Sequence, residues 1–384
     1  MTPRNPRDDE TASALVPWVR ERIEAFHPAY FAMAMATGIV SIDCSLLGLR
    51  EASRVLFWVN VPAYGLLWLV TIARAALFSP SFFRDCASHQ RGPGFFTAVA
   101  GTCVVGVQFA LLRGDAAVGL ALFWIALALW CLCTYGIFVA LAVRDDKPSL
   151  AEGINGGWLL AVVATQALCV LGARVLPARF GDHEAVFLFL ASLWLCGGML
   201  YIWMIALIFY RYMFFKFAPS DLMPPYWINM GAVAISTLAG CTLLAAAPGS
   251  TVIGGIVPFV KGFTLMYWAT ATWWIPMLFI LGIWRHRARR VRFQYDPLYW
   301  GLVFPLGMYS VATYRVAELL HAPFLVWIAR GFVVVALSAW LLTFFGMASR
   351  LVFLVLLATR PLRALFARVR PSTFQRQPAS GDPR

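Results

Sequence analysis

The chain has 384 residues, 61% of them hydrophobic and 13% charged, with a formal net charge of +13. A soluble domain cannot cover that much apolar surface, so the composition excludes a soluble globular protein and calls for an integral membrane one. In a soluble chain the cationic excess would suggest nucleic acid. Here the cations lie in short connections and at the ends, as the positive-inside rule expects, and no nucleic-acid partner is expected.

Residues 1–26 carry Arg4, Arg7, Arg20 and Arg22 but no apolar core of their own, so they read as a cytoplasmic tail with no cleavable signal peptide. Ten apolar segments follow, at 27–49, 55–77, 93–112, 118–143, 153–175, 184–212, 225–247, 254–284, 297–320 and 324–349. They are long continuous runs, unlike the short alternating segments of a membrane β-barrel. The fold class is therefore all-α integral membrane, with ten transmembrane helices in a single pore domain over 27–349. Short connections make successive helices antiparallel neighbours. Residues 350–384 start apolar and turn basic, which predicts an interfacial helix followed by disorder.

Counting Lys and Arg by connection puts 23 on one side and 8 on the other. Both termini are then expected in the cytoplasm, as an even number of crossings requires. The eight cysteines form no CxxC motif and no metal-ligand cluster with histidine, and read as small buried hydrophobes. No nucleophile, zinc, phosphate-loop or dinucleotide motif is present, so neither an enzyme nor a cofactor or metal site is expected.

A weak internal period runs through the segments. Odd ones open on an aromatic (Phe31, Phe95, Trp158, Trp227, Trp300) and place small or hydroxyl residues further in. Even ones carry most of the tryptophans. Five quasi-repeated helical hairpins around a central pore would satisfy both patterns, with odd helices inside and an aromatic shell outside. The same small residues would equally serve plain helix-to-helix contact.

Within the ninth segment Pro305 removes a backbone donor and crowds the carbonyl of Gly301, which predicts a kink with Phe304 at the bend. Freed backbone at membrane depth is tolerated against protein or a water-lined path, so this helix should face inward. Phe304 and Pro305 are the candidate gate. The candidate pore-lining residues are Thr37, Ser41, Thr102, Thr165, Ser236, Thr237, Met308 and Ser310, whose weak neutral donors would replace anion hydration without trapping the ion. Arg315 returns to the face of Phe304 roughly 16 Å further along. With Lys261 and Arg330 it could form a cationic outer mouth, or it could simply pair with Glu318. Asp43 is the main acidic residue inside a span; such a carboxylate can be a proton relay, but pairing with a nearby arginine at the outer edge is the arrangement expected of it.

The stretches HPAYFAMAMATGIVS (27–41), YWINMGAVAISTLAG (226–240), FTLMYWATATWWIPMLFILGIWRH (263–286) and YWGLVFPLGMYSVATYRVAE (299–318) occur in this order. On these the chain resembles the tellurite-resistance/dicarboxylate transporter family, which includes bacterial tellurite-resistance membrane proteins, fungal malate permeases and sulfite exporters, and plant slow anion channels. The resemblance covers roughly residues 27 to 346. It implies a homotrimer in which each protomer has its own pore, and an occluding phenylalanine that falls on Phe304.

The function expected is a transmembrane channel or uniporter for small anions in the cell (inner) membrane. The alternative is a proton-linked transporter or exporter of C4-dicarboxylate, sulfite or tellurite-related oxyanions.

Overall fold

A computed structural model describes residues 17, 19–181, 183–218, 221–288 and 295–368, with side chains described as far as Leu354 except at Ala288. The tail expected beyond Arg368, and the arginines at 4, 7, 289, 290 and 292, lie outside the described residues. Every element among those described is helical.

Among the described residues, nine helices are long and apolar enough to cross a membrane: α1 (Pro28–Leu46), α2 (Arg50–Leu77), α3 (Gly92–Leu112), α4 (Ala116–Ala142), α5 (Gly156–Phe180), α6 (Glu184–Phe214), α7 (Pro224–Ala246), α8 (Val257–Arg287) and, after α9, α10 over Leu325–Leu354. The helix α9 (Trp300–Leu319) is long enough, at 20 residues or about 30 Å, but is more polar. Its Tyr309, Ser310 and Thr313 are tolerated because 15 of its residues are buried against other helices. The α10 helix itself continues to Arg368.

Burial alternates along the chain. The membrane stretches of α1, α3, α5 and α7 are 78%, 67%, 94% and 83% buried, whereas α2, α4, α8 and α10 are 17–28% buried and α6 is half buried. Apolar side chains turned outward on the second set, such as Leu69, Leu132, Phe279 and Leu342, suit a lipid solvent.

Contacts close the inner helices into a ring: α1 packs on α3, α3 on α5, α5 on α7, α7 on α9, and α9 back on α1. Each outer helix sits over a seam. The α4 helix packs on α3 and α5, α6 on α5 and α7, α8 on α7 and α9, and α10 on α9 and α1, while α2 leans on α1 and α3. Small residues permit the close approach. A Cβ built on Gly307 would stand 3.2 Å from Ile39 and Val40 of α1, and one on Gly231 of α7 would stand 2.7 Å from the Pro305 ring.

Each inner helix begins with a 3-10 turn: Pro28–Phe31, Gly92–Phe95, Gly156–Leu159, Pro224–Trp227 and Pro297–Tyr299. Proline within the first two positions of four of them costs no hydrogen bond, because the first amides of a helix have no partner in it. These turns also touch in sequence and close a smaller ring at the N-terminal ends of the inner helices. Phe31, Phe95, Trp158 and Trp227, which open the first four odd segments, sit in these turns, and Trp300 follows directly on the fifth.

The helix α9 runs unbroken through Pro305. Proline also lies inside α2 (Pro62), α5 (Pro177) and α8 (Pro276), so an internal proline does not by itself single out α9.

Candidate functional site

A cavity of about 620 Å³ lies among the C-terminal halves of the five inner helices. Each contributes a wall: Ile39, Ile42 and Leu46 from α1; Val104 and Val107 from α3; Ala167 and Val170 from α5; Ile235 and Leu238 from α7; Met308 and Val311 from α9. The walls are aliphatic, and the charge is concentrated at the rim in Arg174, Lys261, Arg315 and Glu318.

On α9 the residues Phe304, Met308, Val311 and Arg315 recur at helical spacing and share one face. Met308, Val311 and Arg315 line the cavity, while Phe304, one turn towards the N-terminus, does not. Phe304 is 1% exposed and packed in the main apolar core. Its ring thus belongs to the sealed layer next to the cavity.

Arg315 combines both expected arrangements. It lines the cavity and pairs with Glu318 at 2.7 Å. Lys261 lines the rim as well. Arg330 does not; its guanidinium lies 5.0 Å from the Trp327 ring centre on the outer helix α10. Arg174 is a rim cation that was not singled out in the sequence. Its signal was the spacing Ala167–Val170–Arg174, which puts an arginine on the cavity face of α5.

The hydroxyl candidates occupy a different place. Among the pore-lining candidates, Met308 alone borders this cavity. Thr37 accepts from Trp340 Nε1 of α10 at 2.9 Å, and Thr165 accepts from Trp130 Nε1 of α4 at 2.8 Å. Thr102 exchanges a 2.8 Å hydrogen bond with Tyr64 of α2. Ser41 donates to the carbonyl of Ser53 at 2.8 Å. Ser236 and Thr237 bond back to their own helix at Ala232 and Val233, at 2.7 and 2.8 Å. Thr37, Ser41, Thr102 and Thr165 thus face seams between inner and outer helices.

The tryptophans divide accordingly. Trp58, Trp203, Trp273 and Trp327 are exposed, whereas Trp194, Trp274 and Trp340 are buried; Trp194 and Trp340 donate to the inner helices α7 and α1, and Trp274 donates to the Tyr201 hydroxyl of α6. An aromatic shell facing lipid therefore describes only part of them, because a buried indole N–H needs an acceptor that lipid cannot supply.

Asp43 departs from its expectation. It is fully buried in α1, and among the described residues it makes no ion pair. Its Oδ1 lies 2.7 Å from Ser310 Oγ of α9, and Oδ2 has no partner.

At the N-terminal ends of the inner helices, Asp85 joins Arg74 at 2.6 Å and Arg91 at 2.9 Å. Arg74 also donates to the Glu24 carbonyl, and Arg91 to that of Phe26. This fixes the entry to α1. His27 caps the first turn there by accepting from the Ala29 amide at 3.1 Å. Burial, reinforced by the nearby Arg91 guanidinium, pushes the His27 imidazole down to about 4. No cluster of His, Cys, Asp and Glu suited to a metal occurs among the described residues.

A closed ring of buried helices inside a ring of lipid-facing ones, holding a cavity with a cationic rim, defines a multi-pass membrane protein. A family pattern described as voltage-dependent anion channel, SLAC1, matches residues 25–348, and the chain belongs to that family.

The chain is 39% identical over 154 residues to an uncharacterized membrane protein of Mycobacterium tuberculosis, covering 40% of this chain and 77% of that one. It is 25% identical to an uncharacterized transporter of Methanocaldococcus jannaschii, covering 84% and 91% of the two chains. It is 26% identical to the sulfite efflux pump SSU1 of Trichophyton rubrum, covering 84% and 90%.

Proposed function

We propose that this protein is a passive anion channel or uniporter whose lumen runs through the ring of inner helices and is closed by Phe304. The carrying observation is the register of α9: Met308, Val311 and Arg315 border the cavity, and Phe304 continues the same face into the sealed layer. An apolar constriction blocks ions by excluding their hydration water, so displacement of one ring would restore a wet path. Pro305 stiffens the turn behind Phe304 and seats against Gly231 of α7, which fixes where that ring can go.

Arg174 and Lys261 at the rim, which form no ion pair among the described residues, would raise the local concentration of anions. The aliphatic wall beyond them offers no site deep enough to trap an ion. In this reading both termini lie in the cytoplasm of a cell with the protein in its inner membrane. Arg74, Arg91, Arg144 and Arg211 all lie at the N-terminal ends of the inner helices, which supports that orientation. A homotrimer with one pore per protomer completes the proposal.

A coupled transporter of oxyanions such as sulfite is the second reading. The relative named as a sulfite efflux pump and the buried carboxyl of Asp43 favour it. The experiment is flux of chloride, nitrate, sulfite and malate into proteoliposomes, with and without an imposed pH gradient. Gradient-independent chloride or nitrate flux that rises in Phe304→Ala supports the channel. Saturable uptake that follows the pH gradient supports the coupled transporter and ends the first reading.

A further inference from the structure

Ser310 Oγ of α9 stands between two oxygens. Asp43 Oδ1 of α1 is at 2.7 Å, and the carbonyl oxygen of Ala329 on α10 is at 2.8 Å. A serine hydroxyl carries one proton and can donate it once. A backbone carbonyl has none to give, so Ser310 must donate to Ala329, and the contact with Asp43 needs a proton from the other side. We infer that Asp43 is a proton-binding site: its carboxyl is neutral and donates to Ser310, which passes the chain of hydrogen bonds on to Ala329.

Two further observations agree with this proton count. Asp43 is 0% exposed and its Oδ2 has no partner, so an ionised carboxylate there would have one hydrogen bond at most for a full charge. Burying a charge on those terms costs far more than burying a neutral acid. Nor does any cation on the surrounding elements reach it. On α2, Arg50 is exposed and Arg54 is held by Glu51. Arg113 at the end of α3 lies over the Trp58 ring, Arg315 of α9 pairs with Glu318, and Arg330 of α10 lies over Trp327. The thiols Cys44 of α1 and Cys103 of α3 are buried, and His27 and Tyr30 stand at the opposite end of α1.

The position gives the proton a route and a consequence. Ile42 and Leu46 beside Asp43 line the cavity, as does Val311 beside Ser310. The carboxyl therefore lies beside the cavity wall on both helices without lining it. The hydrogen-bonded chain ties α1, α9 and α10 together six residues past Phe304. Loss of the proton leaves one donor for two acceptors, so one tie breaks, and the new charge is drawn towards water in the cavity. Asp43 thus acts as a proton-operated clasp on the helix that carries Phe304. The clasp rests on the proposed gating role of Phe304; the proton site does not.

The test has two arms, both on the full-length protein in liposomes. Infrared difference spectra at neutral pH, wild type minus Asp43→Asn, should show a protonated-carboxyl C=O band that shifts in D2O. In Ser310→Ala the band should remain but move, since its hydrogen-bond partner is gone, and this variant serves if Asp43→Asn fails to fold. A carboxylate signature in place of that band, or a band that ignores Ser310→Ala, overturns the site. In the flux arm, wild-type anion flux should rise with alkaline pH, Asp43→Asn should lose that dependence because its amide donates permanently, and Asp43→Ala should be open throughout. A carboxyl band together with an unchanged pH profile in Asp43→Asn keeps the proton site and overturns the clasp.

Discussion

Trp340 Nε1 donates to Thr37 Oγ1 at 2.9 Å across 303 residues of sequence, joining the last outer helix to the first inner one. The same device recurs at the other seams. Trp130 reaches Thr165, Trp268 reaches Thr313, Tyr64 meets Thr102, and Trp194 reaches the Ser236 carbonyl. Each time an aromatic of an outer helix bonds to the next inner helix, so polar groups stranded at membrane depth satisfy one another and hold the ring closed.

Removing that last seam bond should be measurable. Trp340→Phe and Thr37→Val are each expected to lower thermal stability in detergent, the hydrogen bond contributing about 0.6 kcal/mol to their coupling in a double-mutant cycle. Strict additivity of the two would show that the bond contributes nothing.

Phe304→Ala should raise anion flux by about tenfold or more, equivalent to removing at least about 1.4 kcal/mol of barrier. Phe304→Leu, which keeps an apolar plug, should raise it less. Equal flux in wild type and Phe304→Ala, at matched protein incorporation, would mean that the ring is packing and not a gate.

Neutralising the rim separates attraction from conduction. Arg174→Gln and Lys261→Gln are expected to reduce anion flux at low ionic strength and to have little effect at about 1 M salt, where charges are screened beyond roughly 3 Å. Arg315→Glu should weaken anion preference further, because it places a second carboxylate beside Glu318. Salt-independent loss in all three variants would point to folding damage.

His27 gives a pH prediction with a definite sign. Its folded value of about 4 lies below the ordinary 6.5, so between those limits the unfolded chain binds the proton and the folded protein does not. Stability from this group is complete above about 6.5 and falls as pH drops towards 4, by on the order of 3 kcal/mol at most. His27→Asn keeps an acceptor for the Ala29 amide and removes the titration. Its acid limb in a melting-temperature profile should be flatter than that of wild type.

Gly231→Ala should destabilise the protein by about 1–3 kcal/mol, since the new methyl would stand 2.7 Å from Pro305 and a proline ring cannot turn away. That exceeds the roughly 1 kcal/mol which alanine gains over glycine in a helix. Gly101→Ala is the control. Its nearest neighbour would be 3.5 Å away, and the change should be neutral or stabilising in a melting assay.

The class of fold was legible in the residues alone, because apolar run length is set by bilayer thickness and by the need to satisfy backbone groups within each segment. The residues also suggested which helices lie inside, since small residues in the odd segments and bulky ones in the even segments report how closely each helix can be approached. Plain helix contact would have given the same pattern, and the burial of the helices decided it. Segment ends were less legible: α2 begins at Arg50 and α5 reaches Phe180, because helices continue past the last apolar residue into charged turns.

What a given polar side chain faces was settled only by the tertiary structure. Thr37, Thr102 and Thr165 have the composition of a pore lining, but a hydroxyl in lipid goes to whichever partner is near, and the partners are tryptophans and a tyrosine on outer helices. Asp43 met a serine and no arginine for the same reason. Helical spacing fixes the angle of a side chain about its own axis, while rotation of that axis against its neighbours depends on every other helix in the ring.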